Sequence, residues 1–492
     1  MTMQETGLAR NAEVLKPLVV DLDYSLVRTD TLVESVLALM TKQPRAFLRA
    51  LAQLRFGKAH FKRAVADHVT LNHATLPYNE DILDHIRAHK EMGGEAYLVT
   101  AADHSIADGV AAHLGLFDGV IATIDGHNLK GRNKAVRLAE RFPDGFDYIG
   151  DSMADIPVWE AARDVYVAGS SRSVARVLKQ RKLTPKASFP APRMSLKDWI
   201  KQLRIHQWSK NMLLFVPFVL AQLFNEPGVF SRVVAGFIAF GVVASATYLL
   251  NDLNDLTADR IHFGKRYRPI ASGKMSVIFA LLLALVMLAG GMGLALLIQP
   301  AFFLVLCCYL VVTVAYSLRL KRIAVFDVLV IGGLFTLRVF AGLTLTEELA
   351  SLWLMSFAFA LFTSLALAKR HAELIRAAAI PDKDISSRGY LVTDTPLTAA
   401  VGVATASMAV VVMLLYMQLD ASHMRRYPHE WALFLIPLVL GSWLVRIWVK
   451  AHRGILHDDP VIFALRDRVS IGHAVLVVML WLMAIDLTSL AA

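Results

Sequence analysis

The sequence has 492 residues, of which 56% are hydrophobic and 19% are charged, and its formal net charge at pH 7 is +10. A soluble protein of this length carries more charge, so the composition excludes a wholly soluble chain. The basic residues are dispersed among apolar stretches, which argues against nucleic-acid binding and favours cytoplasmic loops or anionic substrates. The two cysteines, Cys307 and Cys308, are adjacent in an apolar block and indicate no disulfide framework.

The first part of the chain, residues 1–195, reads as a mixed polar and apolar globular domain without an apolar signal-peptide core. Polar motifs follow three predicted strands and begin one predicted helix. In open α/β folds, ligands bind at the carboxyl ends of the strands. The polar residues of these motifs are, in chain order, Asp21, Asp23, Thr100, Lys134, Asp151 and Asp155.

This ordered set resembles the haloacid dehalogenase-like phosphohydrolase superfamily over about residues 15–180. The resemblance implies an N-terminal α/β Rossmann-like domain, residues 1–180, with a small helical cap over about residues 31–85. One departure is Tyr24-Ser25, where the family commonly has Gly-Thr. A catalytically inactive domain kept for regulation or oligomerisation is the alternative.

The resemblance also implies a role for each polar residue. Asp21 would attack phosphorus, and Asp23 would act first as general acid and then as general base. Thr100 and Lys134 would bind phosphoryl oxygens. The carboxylates that would hold Mg²⁺ are those of Asp21, Asp151 and Asp155.

A basic linker with three prolines, residues 181–196, leads to a second domain of apolar blocks, residues 197–492. We predict an all-α polytopic membrane domain with about nine transmembrane helices. The basic loops alternate with loops that have few or no basic residues, which places the N-terminal domain on the cytoplasmic side of an inner (cytoplasmic) membrane. The predicted spans are 211–226, 229–250, 276–298, 301–318, 325–345, 351–368, 395–417, 431–449 and 471–490.

An Asp-rich stretch follows the second predicted span. Asn251, Asp255 and Asp259 are spaced i, i+4, i+8, so a continuous helix would place them on one face. Such oxygen ligands suit Mg²⁺ bound to a diphosphate, and cations that suit phosphate follow at once. The alternative is a solvated, charge-rich loop. The cations are Arg260, Lys265, Arg266 and Arg268.

About nine spans with this Asn-Asp-x-x-Asp-x-x-x-Asp motif resemble the UbiA superfamily of intramembrane prenyltransferases, over about residues 199–490. Most aromatic prenyltransferases of the superfamily carry a second Asp-rich motif after the sixth span. Here that place contains Lys369, Arg370 and Glu373, and the later Asp382 and Asp384 lack the motif spacing. This pattern resembles the decaprenyl-phosphate phosphoribosyltransferase branch, which transfers 5-phosphoribose from phosphoribosyl diphosphate to a polyprenyl phosphate.

The resemblance implies that Asn251, Asp255 and Asp259 hold the Mg²⁺ that grips the leaving diphosphate. Glu373 is expected either to bind metal or ribose or to pair with a neighbouring arginine. Arg338 and Arg446 stand within apolar blocks, and the role of Arg338, in lipid-phosphate binding or helix packing, is left open. The basic residues expected to bind the donor or lipid phosphates are Lys210, Lys265, Arg266, Arg268, Lys369 and Arg370.

The fusion suggests that the N-terminal domain dephosphorylates the 5-phosphoribosyl lipid. Two alternatives remain: prenyl transfer from a prenyl diphosphate to an aromatic or quinone acceptor, and a membrane transporter or scaffold with a regulatory soluble domain. The expected partners are phosphoribosyl diphosphate, polyprenyl phosphate and membrane lipids. Lipid length and oligomeric state, a homo-oligomer included, are not determined by the sequence.

Overall fold

A computed structural model describes residues 15–123, 129–169, 171–378, 389–419, 427–456, 463–464 and 466–485. The chain divides into two compact units. The first unit comprises the chain up to Leu203 together with Leu249–Leu283, and the second comprises Arg204–Tyr248 and the chain from Ala284 onward. The Asp-rich stretch therefore belongs to the same unit as the N-terminal domain.

The first unit is built on a six-stranded parallel sheet with the order β3-β2-β1-β4-β5-β6. Apolar residues fill the strands almost without interruption, as expected for strands covered on both faces. Because all strands run parallel, their carboxyl ends meet at one edge, with β1 and β4 adjacent at the centre. The strands are β1 Leu18–Asp21, β2 Ala96–Asp103, β3 Gly119–Thr123, β4 Asp147–Gly150, β5 Val165–Ala168 and β6 Ala187–Phe189.

Helices cover both faces of this sheet. One core cluster contains Val20, Leu98 and Ile149, and the other contains Val19, Tyr148 and Trp159. The helices are α1 Thr31–Lys42, α2 Pro44–Ala52, α3 Lys58–Ala66, α4 Glu80–Glu91, α5 His104–Leu114, α6 Arg132–Arg141, α7 Ile156–Ala161, α8 Arg172–Gln180 and α9 Leu196–Gln202.

The segment predicted as a cap, residues 31–85, contains two kinds of helix. Helices α1 to α3 pack on one another around a small cluster of their own that includes Leu39 and Val65. Helix α4 instead contributes Ile82 and Ile86 to the core of the sheet. The predicted linker also carries structure, because its residues 187–189 form β6 and pair with β5.

The second unit and the end of the first contain the apolar helices. Seven of them, within the described residues, are long and apolar enough to cross a membrane. These spans are Pro227–Asn254, Val277–Ile298, Pro300–Leu318, Phe326–Thr346, Leu352–Ala378, Val392–Leu419 and Glu430–His452. The helices are α10 Val216–Leu220, α11 Pro227–Asn254, α12 Leu256–Ile261, α13 Val277–Ile298, α14 Pro300–Leu318, α15 Phe326–Thr346, α16 Leu352–Ala378, α17 Thr395–Leu419, α18 Glu430–His452 and α19 Arg468–Ala484.

The prediction of nine spans is not confirmed. The first predicted span is broken into a 3₁₀ helix, Ile205–Phe215, and the five-residue α10. Left-handed backbone at Gln222, with φ of 55°, ends that helix early because a side chain in this conformation cannot continue it. The last predicted span corresponds to α19, whose 17 residues are fewer than the roughly 20 that cross a bilayer. Residues 486–490 of that predicted span lie outside the described part of the chain.

Candidate functional sites

The predicted phosphohydrolase residues meet at the carboxyl edge of the sheet. Asp21 ends β1, and Lys134 near the start of α6 places its Nζ 2.8 Å from Asp21 Oδ1. The same ammonium lies 3.4 Å from Asp155 Oδ1 and 3.1 Å from the hydroxyl of Tyr148. Tyr148 in turn donates to Asp155 at 2.8 Å. Lys134 is therefore held by three groups and is itself buried.

Within the described residues, three carboxylates of this edge form the one group of three or more acidic, His or Cys side chains close enough together to hold a metal ion. One oxygen of each of Asp21, Asp151 and Asp155 lies within 4.8 Å of the others. Burial raises the pKa of Asp21 to about 6, with the neighbouring Asp155 adding to the rise and Lys134 opposing it. Burial, then Asp21 and Asp155, raises the pKa of Asp151 to about 8. Such a crowded oxygen set is the ligand chemistry that Mg²⁺ prefers.

Asp23 lies beside this cluster and is attached to the first cap helix. Its Oδ1 accepts hydrogen bonds from the backbone nitrogen and the hydroxyl of Thr31, each at 2.8 Å. Burial and the nearby Asp30 raise the pKa of Asp23 to about 7, although the bonds from Thr31 oppose that rise. A carboxyl group that titrates near neutral pH can both give and take a proton.

The remaining phosphohydrolase positions have simpler surroundings. Thr100 is fully buried, and its hydroxyl accepts a hydrogen bond of 3.0 Å from the Ala102 nitrogen. Tyr24, the departure from the family pattern, has a φ of 56° and remains 37% exposed. Burial and nearby carboxylates raise the pKa of its hydroxyl to about 12, so it stays protonated at neutral pH.

The Asp-rich stretch forms a bent helical turn. Helix α11 ends at Asn254 and α12 begins at Leu256, so Asp255 is the junction. Hydrogen bonds of the helical i to i+4 type persist from Asp255 to Asn251 and from Asp259 to Asp255. Asn251 Nδ2 donates to Asp255 Oδ2 at 3.2 Å, which brings these two predicted ligands together. The single helical face predicted from the spacing is thus present only in bent form.

The cations that follow neutralise the buried carboxylates of this stretch. Arg268 Nη1 lies 2.5 Å from Asp259 Oδ2 and 2.9 Å from Asp252 Oδ1. Lys265 Nζ is 3.6 Å from the other oxygen of Asp259. Arg266 instead stacks on the ring of Tyr267 and donates to its hydroxyl at 2.7 Å. Arg268 and Lys265 therefore each pair with a different carboxylate oxygen of Asp259.

Within the second unit, Arg370 is held by carboxylates. Its Nε donates to Asp327 Oδ2 at 2.6 Å, and its Nη1 pairs with Glu373. The hydroxyl of Tyr390 donates to the other oxygen of Asp327, also at 2.6 Å. Of the two roles expected for Glu373, pairing with Arg370 is the one seen. Lys369, its neighbour on α16, is half-buried.

Two further basic residues of the second unit lie against aromatic rings. Lys210 Nζ is 5.6 Å from the centre of the Phe335 ring. Arg338 lies between the rings of Phe240, Tyr309 and Phe335, and its Nε donates to Asn211 at 3.1 Å. These contacts give Arg338 a helix-packing role; lipid-phosphate binding stays a prediction.

Some residues of these sites were not found from the sequence. Tyr148 looks like an ordinary strand aromatic, and only the fold shows that its hydroxyl links Lys134 to Asp155. Asp327 had a recognisable signal, because an acidic residue at the start of an apolar span needs a partner. Asp382 and Asp384 lie outside the described residues.

Comparison with known proteins identifies both halves of the chain. The sequence model of the UbiA prenyltransferase family matches residues 214–464, half of the chain. The chain belongs to the UbiA prenyltransferase family. The model of haloacid dehalogenase-like hydrolases matches residues 18–160. This UbiA-family protein is thus an integral membrane protein with an N-terminal haloacid dehalogenase-like domain, as the sequence predicted.

Three relatives illustrate the range of similarity. The uncharacterized protein y4nM of Sinorhizobium fredii is 45% identical over 92% of this chain and 88% of its own length, so the similarity spans both domains. The decaprenyl-phosphate phosphoribosyltransferase of Mycobacterium tuberculosis is 35% identical over 55% of this chain and 88% of its own. The nodulation protein NoeC of Azorhizobium caulinodans is 31% identical over 56% of this chain and 90% of its own.

Proposed function

We propose that this protein transfers 5-phosphoribose from phosphoribosyl diphosphate to a polyprenyl phosphate, and that its N-terminal domain then removes the 5-phosphate. The observation that carries the first step is the replacement of a second acidic motif by Lys369 and Arg370 on α16. A prenyl diphosphate bound through a second metal needs carboxylates at that place, whereas an anionic lipid phosphate needs cations. Similarity to a decaprenyl-phosphate phosphoribosyltransferase supports the same choice.

The Asp-rich stretch would bind the donor. Asn251, Asp255 and Asp259 supply the amide and carboxylate oxygens that fit a divalent cation. Such a cation, when bound, offsets the negative charge that develops on the departing diphosphate. Arg268 and Lys265 already lie beside Asp259. We expect the donor phosphates to attract these two side chains away from the carboxylate, which would release its oxygens for the cation.

The acceptor would bind on the basic positions of the second unit. Lys369, Lys210 and Arg370 are the candidates for the lipid phosphate. Asp327 and Glu373 offset the charge of Arg370. We propose that Arg370 mainly fixes the position of these side chains on α16, and that it adds one donor to the phosphate.

The transfer itself needs little proton chemistry. An oxygen of the lipid phosphate forms a bond to C1 of the ribose while the bond from C1 to the diphosphate oxygen breaks. The acceptor oxygen is already anionic, so no general base is required. The side chains contribute by orienting the two substrates and by offsetting charge.

The N-terminal domain would act on the product's 5-phosphate. Asp21 would attack phosphorus as Asp23 donates a proton to the ribose oxygen that leaves. Water would then attack the aspartyl phosphate while Asp23 takes its proton, which regenerates both groups. The raised pKa of Asp23, about 7, suits both halves of that cycle. Thr100 and Lys134 would bind the phosphoryl oxygens, and Asp21, Asp151 and Asp155 would hold Mg²⁺.

We further propose that the N-terminal domain and the Asp-rich stretch both face the cytoplasm, where phosphoribosyl diphosphate is made. The basic loops of the membrane domain support this orientation. The domain boundaries that we propose remain 1–180 and 197–492, joined by residues 181–196.

The transfer is tested with the full-length protein in detergent, decaprenyl phosphate and phosphoribosyl diphosphate labelled in the ribose. We expect labelled lipid in the presence of Mg²⁺, and a loss of at least about a hundredfold in Asp255→Asn. Glu226→Gln, an exposed acidic residue at the other end of α11, is the matched control. Prenylated product formed instead in a parallel assay with a labelled prenyl diphosphate and an aromatic acceptor would favour the alternative reaction.

The dephosphorylation is tested on the same lipid product. Wild type should yield lipid-linked ribose without the 5-phosphate, and Asp21→Asn should leave the 5-phosphate on the lipid-linked ribose. Asp144→Asn, an exposed acidic residue of the same domain, serves as the control. Retention of the 5-phosphate by wild type would separate the two activities and contradict the coupled sequence.

A further inference from the structure

A buried ion pair joins two segments of the first unit that are distant in sequence. Arg260 Nη1 lies 2.7 Å from Glu34 Oε2, and Arg260 Nη2 lies 2.6 Å from Glu34 Oε1. The side chains of Arg260 and Glu34 are 6% and 5% exposed. Two parallel hydrogen bonds in a buried setting fix orientation as well as distance, unlike a surface pair held by one bond.

Glu34 is linked to the phosphohydrolase site by a short stretch of chain. It lies in the first turn of α1, and its Oε1 also accepts a hydrogen bond from the hydroxyl of Thr29. Thr31, the first residue of the same helix, donates twice to Asp23. The first turn of α1 therefore carries Glu34, which pairs with Arg260, and is hydrogen-bonded to Asp23, the residue proposed for proton transfer.

Arg260 is linked to the donor-binding stretch in the same way. It directly follows Asp259 on α12, and its Nε donates to the carbonyl oxygen of Ala271 at 3.0 Å. Lys265 and Arg268 lie in the segment that this hydrogen bond closes. The segment from Arg260 to Gly273 is called the basic loop below. The Arg260 guanidinium holds the start of this loop close to its end and connects it to Glu34.

A second contact reinforces the first. Gly273 has a φ of 74°, and a Cβ added there would lie 2.6 Å from Arg28 Cβ and 2.7 Å from Arg28 O. Only glycine permits so close an approach of the two backbones. Arg28 is itself held by a hydrogen bond of 3.2 Å to Asn79. The end of the basic loop therefore rests against the segment between β1 and α1.

We propose that Glu34, a residue of the phosphohydrolase domain, is a positioning residue for the transferase site. It keeps Arg260 turned away from Asp259, so that the donor's cation competes for that carboxylate with two basic side chains, Arg268 and Lys265, and not with a third. The proposal rests on the proposed function, because its kinetic consequence is read in phosphoribosyl transfer. It makes the N-terminal domain a structural part of the transferase, in addition to any activity of its own.

The chemistry of the pair indicates what its loss would do. Without the Glu34 carboxylate, Arg260 becomes a buried cation without its counter-ion, one residue away from Asp259. The nearest way to neutralise it is to pair with an acidic residue of the Asp-rich stretch. That pairing would compete with binding of the donor and its cation, so the Michaelis constant for phosphoribosyl diphosphate should rise more than kcat falls.

The test uses full-length protein in detergent and three variants. Glu34→Gln removes the charge and keeps the shape, and the double variant Glu34→Arg with Arg260→Glu restores a pair of opposite polarity. Asp84→Asn breaks the exposed pair with Arg87 on α4 and is the matched control. The readouts are kcat and KM for phosphoribosyl diphosphate, hydrolysis of 4-nitrophenyl phosphate, and hydrogen exchange over residues 256–273 without substrates.

We expect Glu34→Gln to lower kcat/KM for phosphoribosyl diphosphate by roughly ten- to a hundredfold, mostly through KM, because the released Arg260 competes with the donor and its cation for the acidic residues. Exchange over residues 256–273 should rise, and the double variant should recover a substantial part of both effects. Hydrolysis of 4-nitrophenyl phosphate should stay within about twofold, which shows that the N-terminal domain remains folded.

Equal KM and equal exchange in Glu34→Gln and wild type would overturn the proposal, as would a double variant no better than the single one. If Glu34→Gln loses the hydrolase activity as well, Glu34→Asp takes its place, and the same comparison of exchange and KM decides. Failure of wild type to transfer phosphoribose would refute the proposed function instead. In that case the exchange of residues 256–273 in Glu34→Gln still decides whether the pair positions this loop.

Discussion

The first unit contains two acidic clusters that differ in how far basic side chains balance their carboxylates. At the edge of the sheet, Asp21, Asp151 and Asp155 share one ammonium, that of Lys134, and burial raises the pKa of Asp21 and Asp151. In the Asp-rich stretch, Asp252 and Asp259 are matched by Arg268. The first cluster keeps excess negative charge that a cation can relieve, whereas ligands of the second must displace ion pairs that already exist.

This difference predicts which side chains matter most in each cluster. Among the described residues, Lys134 is the basic side chain paired with Asp21 and Asp155, so its removal should be severe. A carboxylate shared by several cations should tolerate the loss of one of them better. The four predictions below test that contrast.

The largest effect is expected at Lys134. Lys134→Met leaves the buried Asp21 and Asp155 and the half-buried Asp151 without a counter-charge, so we expect phosphatase turnover to fall by about a thousandfold or more. The free energy of unfolding of the domain should fall by about 3 to 5 kcal/mol, the usual result of breaking a buried pair. Phosphate release and thermal unfolding measure the two effects. Turnover within tenfold of wild type would contradict the role given to this ammonium.

In the Asp-rich stretch, we expect Arg268→Met to lower kcat/KM for phosphoribosyl diphosphate by about a hundredfold, because Arg268 is already placed beside Asp259. Arg266→Met should cost about tenfold or less, since Arg266 stacks on Tyr267 and must turn to reach a phosphate. Phosphatase activity should be the same in both variants. A larger loss in the Arg266 variant would reverse the order of importance inferred here.

Metal binding should show the contrast without any substrate. Asp151→Asn removes one of the clustered carboxylates at the sheet edge, so we expect the affinity for Mn²⁺ to fall by about tenfold or more. Asp255→Asn should change this binding little, because phosphate ligands are needed to complete a site in the Asp-rich stretch. Electron paramagnetic resonance titration of Mn²⁺ measures both. Equal losses in the two variants would remove the distinction.

The smallest effect is expected from pH in the presence of a chelator. The pKa of Asp23 is about 7 and that of Asp151 about 8, both above the ordinary value of about 4 for an unfolded carboxyl. Between the unfolded pKa of about 4 and these raised values, the folded state binds more protons than the unfolded state. The free energy of unfolding therefore falls as pH rises from about 5 to 8. Hydrogen exchange over residues 147–168, corrected for its chemical rate, should therefore accelerate over that pH range in chelator, and should accelerate less in wild type with Mg²⁺.

Asp151→Asn is the control for the pH effect. It removes the group with the higher of the two pKa values, so the acceleration in chelator should be smaller in this variant. Stability that instead rises with pH in chelator would show that these carboxylates are not protonated preferentially in the folded state.

Much of the fold could be read from the sequence. Short apolar strands that end in Asp21, Thr100 and Asp151 indicate a parallel sheet with a polar edge, and the apolar blocks indicate a polytopic membrane domain. The number of spans was less certain. An apolar stretch such as 211–226 satisfies a hydropathy criterion, yet local backbone conformation at Gln222 decides whether it becomes one helix.

The order of residues sets which chemical groups are present and roughly where each lies along its strand or helix. The periodicity of 3.6 residues sets helical faces, and parallel strands bring their ends to one edge. These are local rules, and they placed Asp21 at the end of β1. Asp23 lies two residues beyond that strand, and the Asp-rich motif bends at Asp255.

Which charges meet depends on the three-dimensional fold. Lys265, Arg266, Arg268 and Arg260 look equivalent in the sequence, but Arg268 pairs with Asp259, Arg266 stacks on Tyr267, and Arg260 turns to Glu34. Glu34 and Arg260 are 226 residues apart, so no periodicity relates them. Pairing of this kind follows from burial, because a charge removed from water needs a partner that the fold brings to it.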